Sequence, residues 1–299
     1  MARWPVKKQR FLLSVRAQPA QRAKPANLIW GIQMPVAKIG SLSLYYEIIG
    51  QGQPLVMIRG VGSNVDHWYE QVPALSQRFQ LLLFDNRGIA RSPDPGGPFS
   101  IRDMAADTIA LMEAVGFKKA HVLGYSMGGM IAQEMALNHP QKVEGLILVA
   151  TDCGISLRIK AKPEASRLFS EMIRLGTNAA KIAAAGCLFA KKTFDNNPEV
   201  IQRYTEVSQR FPASQKMLAK QWAAVTHHDA CGRLHHISSP TLAITGAEDV
   251  LIPPQNAVVL AKNIPDAQMV SIDGGGHLFL IEQPRQFNQA VIKFLEGLS

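Results

Sequence analysis

The sequence predicts an α/β fold built on a mostly parallel sheet. From Ile39 onward, short apolar runs rich in β-forming residues alternate with stretches of helical periodicity, which is typical of consecutive βαβ units. The runs are continuously apolar, as expected of parallel strands that helices cover on both faces. With 299 residues and 47% hydrophobic content, the chain has enough apolar surface for one large α/β domain or two small ones.

Six of these runs are the predicted central strands, and one earlier run is part of an opening hairpin. The hairpin run is SLSLYYEII, which ends at Gly50 and Gly52. The central runs are, in order, PLVMIRG, FQLLLFD, AHVLGY, VEGLILVA, PTLAITG and AQMVSID. Helices are predicted at residues 66–76, 101–115, 127–138, 254–263 and 284–298.

One long stretch interrupts the alternation. Residues 153–234 contain no convincing strand and are rich in Ala, Lys, Arg and Met with partly amphipathic spacing. We interpret them as a helical cap inserted into a core formed by residues 35–152 and 235–299. Apolar cap side chains such as Phe169 and Trp222 are expected to pack mainly on one another and on the sheet.

The net charge of +9 comes from one end of the chain. Eight of the 32 basic residues precede residue 39, whereas the first acidic residue is Glu47. The remaining 24 basic residues nearly balance the 23 acidic ones, so a nucleic-acid partner is not expected. We interpret residues 1–34 as a disordered or dispensable extension; a transit peptide and a translation start at Met34 stay open as alternatives.

Membrane insertion and disulfide bonding are not expected. No run of about 18 apolar residues occurs, so we expect no membrane partner. Cys153, Cys187 and Cys231 are an odd number at wide spacings, which matches neither a disulfide framework nor a zinc pattern. We therefore expect reduced thiols and a cytoplasmic protein.

The segment HVLGYSMGGM predicts a nucleophile. Gly124-Tyr125-Ser126-Met127-Gly128 has the pattern Gly-x-Ser-x-Gly at the junction of a predicted strand and a predicted helix. In such a turn the serine adopts a strained backbone that exposes its hydroxyl. A phosphate-binding loop is the alternative, but the Gly-Lys-Ser/Thr ending that it needs is absent.

A serine nucleophile needs a base and an acid that orients the base. His277 follows three glycines after the last predicted strand, a setting that none of the other histidines shares. Asp249 follows the strand PTLAITG by a short loop, so it should emerge at the same sheet edge as Ser126. Asp152 is the reserve candidate for the acid, and Glu248 is expected to be solvated.

These motifs together resemble the α/β-hydrolase superfamily over residues 35–299. The segments FDNRGIARS, GYSMGG, PTLAITGAED and GGGHLFLIEQP stand in the family's order and spacing, which is that of capped lactonases, esterases and C–C bond hydrolases. The chain is most similar to 3-oxoadipate enol-lactonase-like proteins. The resemblance implies an oxyanion hole formed by the N–H groups of Val61 and Met127.

The loop after the first central strand departs from the family pattern. It reads Arg59-Gly60-Val61-Gly62, so that arginine replaces the usual histidine. Arg59 either braces the loop through hydrogen bonds to carbonyl groups, which we favour, or binds a carboxylate of the substrate. Tyr125 and Trp222 are further candidates for contact with the substrate.

These residues predict a serine hydrolase that cleaves esters or lactones of small, fairly apolar acids, with no metal or other cofactor. The cluster His227-His228-Asp229 is interpreted as structural. A C–C bond hydrolase and a haloperoxidase-like perhydrolase would use the same triad and stay open. A ligand-binding or signalling protein on the same fold is the alternative from another class. The oligomeric state is left open.

Overall fold

The computed structural model describes residues 35–176 and 178–298, and the side chains of 178–182 lie outside the description. The predictions for residues 1–34 therefore fall outside the described residues. Within this range the chain forms one eight-stranded sheet with helices around it. The predicted fold class, a mostly parallel α/β sheet flanked by helices, is confirmed.

The sheet begins with an antiparallel hairpin and continues with parallel strands. The strands are β1 (Val36–Ile39), β2 (Leu42–Ile49), β3 (Gln53–Ile58), β4 (Phe79–Phe84), β5 (Ala120–Tyr125), β6 (Val143–Val149), β7 (Thr241–Gly246) and β8 (Ala267–Ile272). Their order across the sheet is β1-β2-β4-β3-β5-β6-β7-β8, and β3 through β8 are mutually parallel. The strand order reverses between β3 and β5, which is where open α/β sheets bind ligands.

Eleven α-helices occur in the described residues. They are α1 (Val72–Leu75), α2 (Ile101–Ala114), α3 (Met127–Asn138), α4 (Pro163–Leu175), α5 (Asn178–Leu188), α6 (Lys191–Asn196), α7 (Pro198–Arg210), α8 (Gln215–Thr226), α9 (Gln255–Asn263), α10 (Phe279–Glu282) and α11 (Pro284–Glu296). Short 3-10 helices lie at Val65–Trp68, Pro140–Lys142 and Cys231–His236. None of the described helices is long and apolar enough to cross a membrane.

The core lies on both faces of the parallel strands. Leu82, Val122 and Leu148 face one buried cluster, and Leu83, Leu123 and Val149 face the other. All are at most 1% exposed. Because successive side chains of a strand point to opposite faces, continuous apolar runs fill both layers at once.

The predicted helix over residues 66–76 is two separate elements. The 3-10 helix at Val65–Trp68 ends before α1 begins, and Pro73 occupies the first turn of α1. Proline has no N–H to donate to the residue four positions earlier, so one continuous helical ladder cannot pass through it. Between the two elements, buried Gln71 donates from Nε2 to the Leu280 carbonyl at 2.6 Å.

Five helices, α4 to α8, lie between β6 and β7, and we call them the cap helices. The chain leaves β6 and returns through neighbouring segments, because Gly154 and Asp229 form an isolated antiparallel bridge. These two segments form the base of the cap helices.

The expectation of three reduced thiols is wrong for two of them. Cys153 and Cys231 form a disulfide with a Cα–Cα distance of 4.9 Å, although 78 residues separate them. The bridge between Gly154 and Asp229 brings their backbones together, which sequence spacing could not reveal. Cys187 is free and buried, and burial raises its thiol pKa to about 12. Because two of the three cysteines are paired, they no longer support the expected reducing compartment.

Candidate active site

Ser126 lies at a sharp turn between the end of β5 and the start of α3. Its φ of 55° and ψ of −119° place it in the left-handed half of backbone space, where non-glycine residues are rare. Its N–H donates to the Val149 carbonyl at 2.8 Å, which holds the turn against β6. The side chain is half-buried and so remains accessible.

Two glycines of the motif are required by close backbone approach. A Cβ on Gly124 would lie 2.1 Å from the Gly128 carbonyl oxygen, and a Cβ on Gly128 would lie 2.2 Å from that of Ile58. Any side chain at either position would force α3 away from the sheet. The Gly-x-Ser-x-Gly spacing is therefore what lets the helix begin directly behind the serine.

His277 joins the serine to an acid. The Ser126 hydroxyl lies 3.2 Å from Nε2 of His277, so it can donate its proton to the ring. On the other side Nδ1 lies 2.7 Å from Oδ2 of Asp249, and its N–H donates to the carboxylate. This pair of contacts fixes the tautomer with a free acceptor lone pair at Nε2. The three side chains predicted to act together are thus in mutual contact.

Asp249 is fixed independently of the histidine. Its Oδ1 accepts the N–H groups of Leu251 and Ile252 at 2.9 and 2.8 Å, and the side chain is buried. The reserve candidate Asp152 is engaged elsewhere, because its Oδ2 accepts from Nε of Arg158 at 2.9 Å. Glu248 is exposed, as expected.

The loop that carries Val61 lies beside the nucleophile, and Met127 follows the nucleophile directly in the chain. β3 and β5 are neighbours, with Ile58 opposite Gly124, so the loop after β3 lies beside Ser126. A Cβ on Gly60 would come within 3.0 Å of the serine Cβ. In the described part of the chain, neither the N–H of Val61 nor that of Met127 donates to a protein acceptor. Both remain able to donate to a developing oxyanion.

Gln221 of α8 holds the loop that carries Val61, and the sequence analysis missed it. Its Oε1 accepts the Gly62 N–H at 2.8 Å, and the side chain is fully buried. Leu218, one turn earlier, packs against Gly62 as well. A glutamine inside an amphipathic helix gives no sequence signal for this role, since its partner lies 159 residues away.

Arg59 does not brace its loop through hydrogen bonds to carbonyl groups, so the interpretation favoured from the sequence is wrong. The side chain is fully buried, yet none of its three side-chain nitrogens has a hydrogen-bond partner in the described part of the protein. Instead the guanidinium carbon lies 4.5 Å from the Trp68 ring centroid and 4.7 Å from that of Tyr125. Burial lowers the pKa of Arg59 below its ordinary value.

Tyr125 and Trp222 occupy different surroundings. The Tyr125 ring is buried 5.2 Å from the His277 ring, and burial raises the pKa of its hydroxyl well above the ordinary value. Trp222 of α8 lies 5.3 Å from Phe169 of α4, within the packing of the cap helices. Tyr125 is therefore the one of these two candidates that directly contacts a triad residue.

Glu282 ties the histidine loop to the cap helices, and the sequence analysis missed it too. Its carboxylate accepts the Gly276 N–H at 2.7 Å and the Ala190 N–H at 2.8 Å. Next to it, the Leu278 N–H donates to the Leu188 carbonyl at 2.9 Å. Burial raises the pKa of Glu282, although the hydrogen bonds that the carboxylate accepts act in the opposite direction. The backbone on both sides of His277 is thus held by the cap helices.

The residues of the His227-His228-Asp229 cluster point to separate partners. His227 is exposed, whereas His228 is buried with Nδ1 3.7 Å from Glu134. Asp229 accepts from the Ser156 hydroxyl and from the Cys231 N–H. Among the described residues, no group of three or more His, Cys, Asp or Glu side chains is placed to hold a metal ion.

The fold and this site together define a class of protein. Residues 53–284 match the family described as the alpha/beta hydrolase fold, which is well over half of the chain. The chain belongs to the alpha/beta hydrolase fold family.

Several relatives within that family are similar over nearly their whole length. One is a protein of Azorhizobium caulinodans named "Putative carbamate hydrolase RutD", which is 33% identical over 266 residues, 87% of this chain and 98% of the relative. The enol-lactonase structure from Burkholderia xenovorans LB400 is 27% identical with a TM-score of 0.77, covering 88% of this chain and 100% of that one. A thermophilic esterase structure from Thermogutta terrifontis is 28% identical with a TM-score of 0.75, covering 86% and 94%. These similarities support a hydrolase activity for this chain.

Proposed function

We propose that the protein is a serine hydrolase that cleaves esters or lactones of small acids through an acyl-enzyme. The observation that carries the proposal is the continuous contact from Ser126 Oγ to His277 Nε2 at 3.2 Å and from His277 Nδ1 to Asp249 Oδ2 at 2.7 Å. The likeness to an enol-lactonase and an esterase structure supports the choice of ester and lactone bonds.

In the first half-reaction, the Ser126 hydroxyl attacks the carbonyl carbon of the substrate while Nε2 of His277 takes its proton. The Asp249 carboxylate, which already accepts the Nδ1–H, stabilises the imidazolium that results. The carbonyl oxygen becomes an oxyanion, for which the proposal assigns the N–H groups of Val61 and Met127 as donors. Losing one such donor typically costs about 2.7 to 4 kcal/mol of transition-state stabilisation.

The first half-reaction ends when the proton on His277 passes to the leaving alkoxide and the alcohol departs, which leaves the acyl group on Ser126. Water then gives a proton to Nε2 as it attacks the acyl carbon, and collapse returns the proton to the serine oxygen. The acid product leaves with the triad restored. In a lactone the alcohol and the acid are parts of one molecule, so ring opening releases a single hydroxy acid.

Hydrolysis of a carbamate is the second candidate. It is favoured by the similarity to the relative named a carbamate hydrolase, of which 98% is covered. The same attack on a carbonyl carbon would apply, with nitrogen attached to the acyl group.

A panel of purified substrates tests the proposal. Hydrolysis of short methyl esters, lactones and carbamates is measured with the wild type, with Ser126→Ala and with Ser100→Ala. The last variant is the control, because it removes an exposed serine at the start of α2. We expect ester and lactone turnover by the wild type and by Ser100→Ala, and loss of at least about three orders of magnitude for Ser126→Ala. Turnover of carbamates alone would replace the leading candidate by the second, and ester turnover that persists in Ser126→Ala would overturn both.

A further inference from the structure

Arg59 is a fully buried cation in the loop that carries the proposed oxyanion donor Val61. Its guanidinium carbon packs against two aromatic rings, 4.5 Å from the Trp68 centroid and 4.7 Å from the Tyr125 centroid. The face of an aromatic ring attracts a cation. The N–H groups of a guanidinium, however, point outward in its own plane, so packing on the rings does not give them hydrogen-bond acceptors.

Those N–H groups have no acceptor among the residues that the structure describes. Nε, Nη1 and Nη2 are all buried without a hydrogen-bond partner, and none of the salt bridges in the described range includes this side chain. Leaving a buried cation unpaired costs several kcal/mol, so the position calls for an anionic acceptor.

The surroundings of Arg59 also offer donors. The indole Nε1 of Trp68 and the hydroxyl of Tyr69 are buried and without a partner in the described protein. The guanidinium fork of Arg59 itself suits a small planar anion with two acceptor oxygens. A carboxylate has this geometry.

The site lies beside the catalytic side chains. The Tyr125 ring that covers one side of the guanidinium is also 5.2 Å from the His277 ring, and the next residue, Gly60, packs on Ser126. An anion held by Arg59 would therefore belong to the same molecule whose carbonyl meets the serine.

Resting on the proposed function, we infer that Arg59 recognises a carboxylate carried by the substrate in addition to the bond that is cleaved. The substrate class is then the half-esters or lactones of dicarboxylic acids. Arg59 acts as a specificity-determining residue: it pairs with the second carboxylate and so orients the scissile carbonyl toward Ser126. A cation held only by its two aromatic neighbours would give no preference for a charged substrate.

A comparison of matched substrates tests this inference on the wild type. Monomethyl succinate, glutarate and adipate are compared with methyl butanoate, pentanoate and hexanoate in a pH-stat, so that each pair has the same chain length and differs in one carboxylate. We expect kcat/KM to favour at least one charged ester by about 30-fold or more, as for a buried charge pair. A preference for the neutral ester at every chain length, or no preference, would overturn the inference.

Substitution of Arg59 assigns the preference to this residue. In Arg59→Met the ratio of kcat/KM for the charged ester to that for the neutral ester should fall by about 30-fold or more. The control Arg233→Met removes an arginine that pairs with Glu134 at the base of the cap helices and should leave the ratio at its wild-type value. A ratio that is unchanged in Arg59→Met would also overturn the inference.

The outcomes separate this inference from the proposed function. Hydrolysis of both ester types that requires Ser126 but shows no charge preference refutes the role of Arg59 alone. Hydrolysis that persists in Ser126→Ala refutes the proposed function itself. If Arg59→Met does not fold, two measurements on the wild type still decide the question: the ratio of kcat/KM values, and a comparison of glutarate with pentanamide as competitive inhibitors. We expect glutarate to inhibit more strongly. Equal inhibition by the two compounds would contradict the inference.

Discussion

Ser126 is held in a conformation that most residues avoid, and the glycines around it explain why the protein tolerates this. The left-handed φ of 55° costs on the order of 1–3 kcal/mol and persists only where surrounding contacts determine it. Here the Ser126 N–H bonds to Val149, and its carbonyl accepts from the Thr151 hydroxyl at 2.8 Å. The strain turns the hydroxyl toward His277.

At the same scale, Asp249 sets the tautomer of His277. Replacing Asp249 by Asn puts an amide where a carboxylate accepts the Nδ1–H, which favours the tautomer protonated at Nε2 and removes the acceptor for the serine proton. We expect kcat for a methyl ester to fall by about three to four orders of magnitude in Asp249→Asn. Glu248→Gln, at the exposed neighbour, should retain wild-type turnover. Comparable losses in both variants would contradict the assignment of Asp249.

Individual residues were predictable from the sequence to different degrees. Ser126 and His277 stand in local patterns that reflect what their own backbone must do, so adjacent glycines reveal them. Gln221 supports the site through a partner 159 residues away, and Glu282 joins nearby Gly276 to Ala190, which lies 92 residues away; no local pattern marks these long-range contacts. The loop motif marks Arg59 as unusual, but only the structure shows that its nitrogens lack carbonyl partners among the described residues.

At the scale of elements, β3, β5, β7 and the loop after β8 bring the site together at one edge of the sheet. The sequence predicted these strands well, because each of them is a continuous apolar run that alternates with helical segments. The break between Trp68 and Val72 was not predicted, because the apolar periodicity continues across it while Pro73 interrupts the hydrogen bonding.

The disulfide joins the two ends of the segment that contains the cap helices. Closing a loop with 78 residues of sequence separation restricts the unfolded chain, which typically stabilises the fold by about 2–4 kcal/mol. We expect Cys231→Ser to lower the urea-derived free energy of unfolding by that amount, and dithiothreitol to lower that of the wild type to a similar degree. Dithiothreitol should leave Cys231→Ser itself unchanged.

Mass spectrometry provides the chemical check. Alkylation of the unfolded, non-reduced protein should modify Cys187 and leave Cys153 and Cys231 unmodified. Modification of all three cysteines, together with no effect of reductant on stability, would contradict the disulfide.

At the scale of the whole molecule, burial lowers the pKa of three histidines, most strongly those of His67 and His228. Burial, together with the charge of Arg59, lowers the pKa of His67 to about 3, and burial lowers that of His228 to about 4 despite nearby Glu134. An unfolded chain would protonate both near pH 6.5. The unfolded state therefore binds more protons between about pH 6.5 and 4, and stability falls as the pH is lowered through this window.

This linkage has an expected size. At pH 5 each histidine should cost about 2 kcal/mol of unfolding free energy relative to pH 7. Urea unfolding at both values should show a smaller loss of stability in His67→Gln and in His228→Gln than in the wild type. His235→Gln, at an exposed histidine, should lose as much as the wild type. An equal loss in all four proteins would show that other groups cause the acid sensitivity.

The most direct test of the catalytic assignment is covalent labelling of the nucleophile. The native protein is treated with a fluorophosphonate, and the modified peptide is identified by mass spectrometry. We predict a single adduct on Ser126, abolished in Ser126→Ala and strongly slowed in His277→Ala. An adduct on another residue, or labelling that survives in Ser126→Ala, would contradict the account.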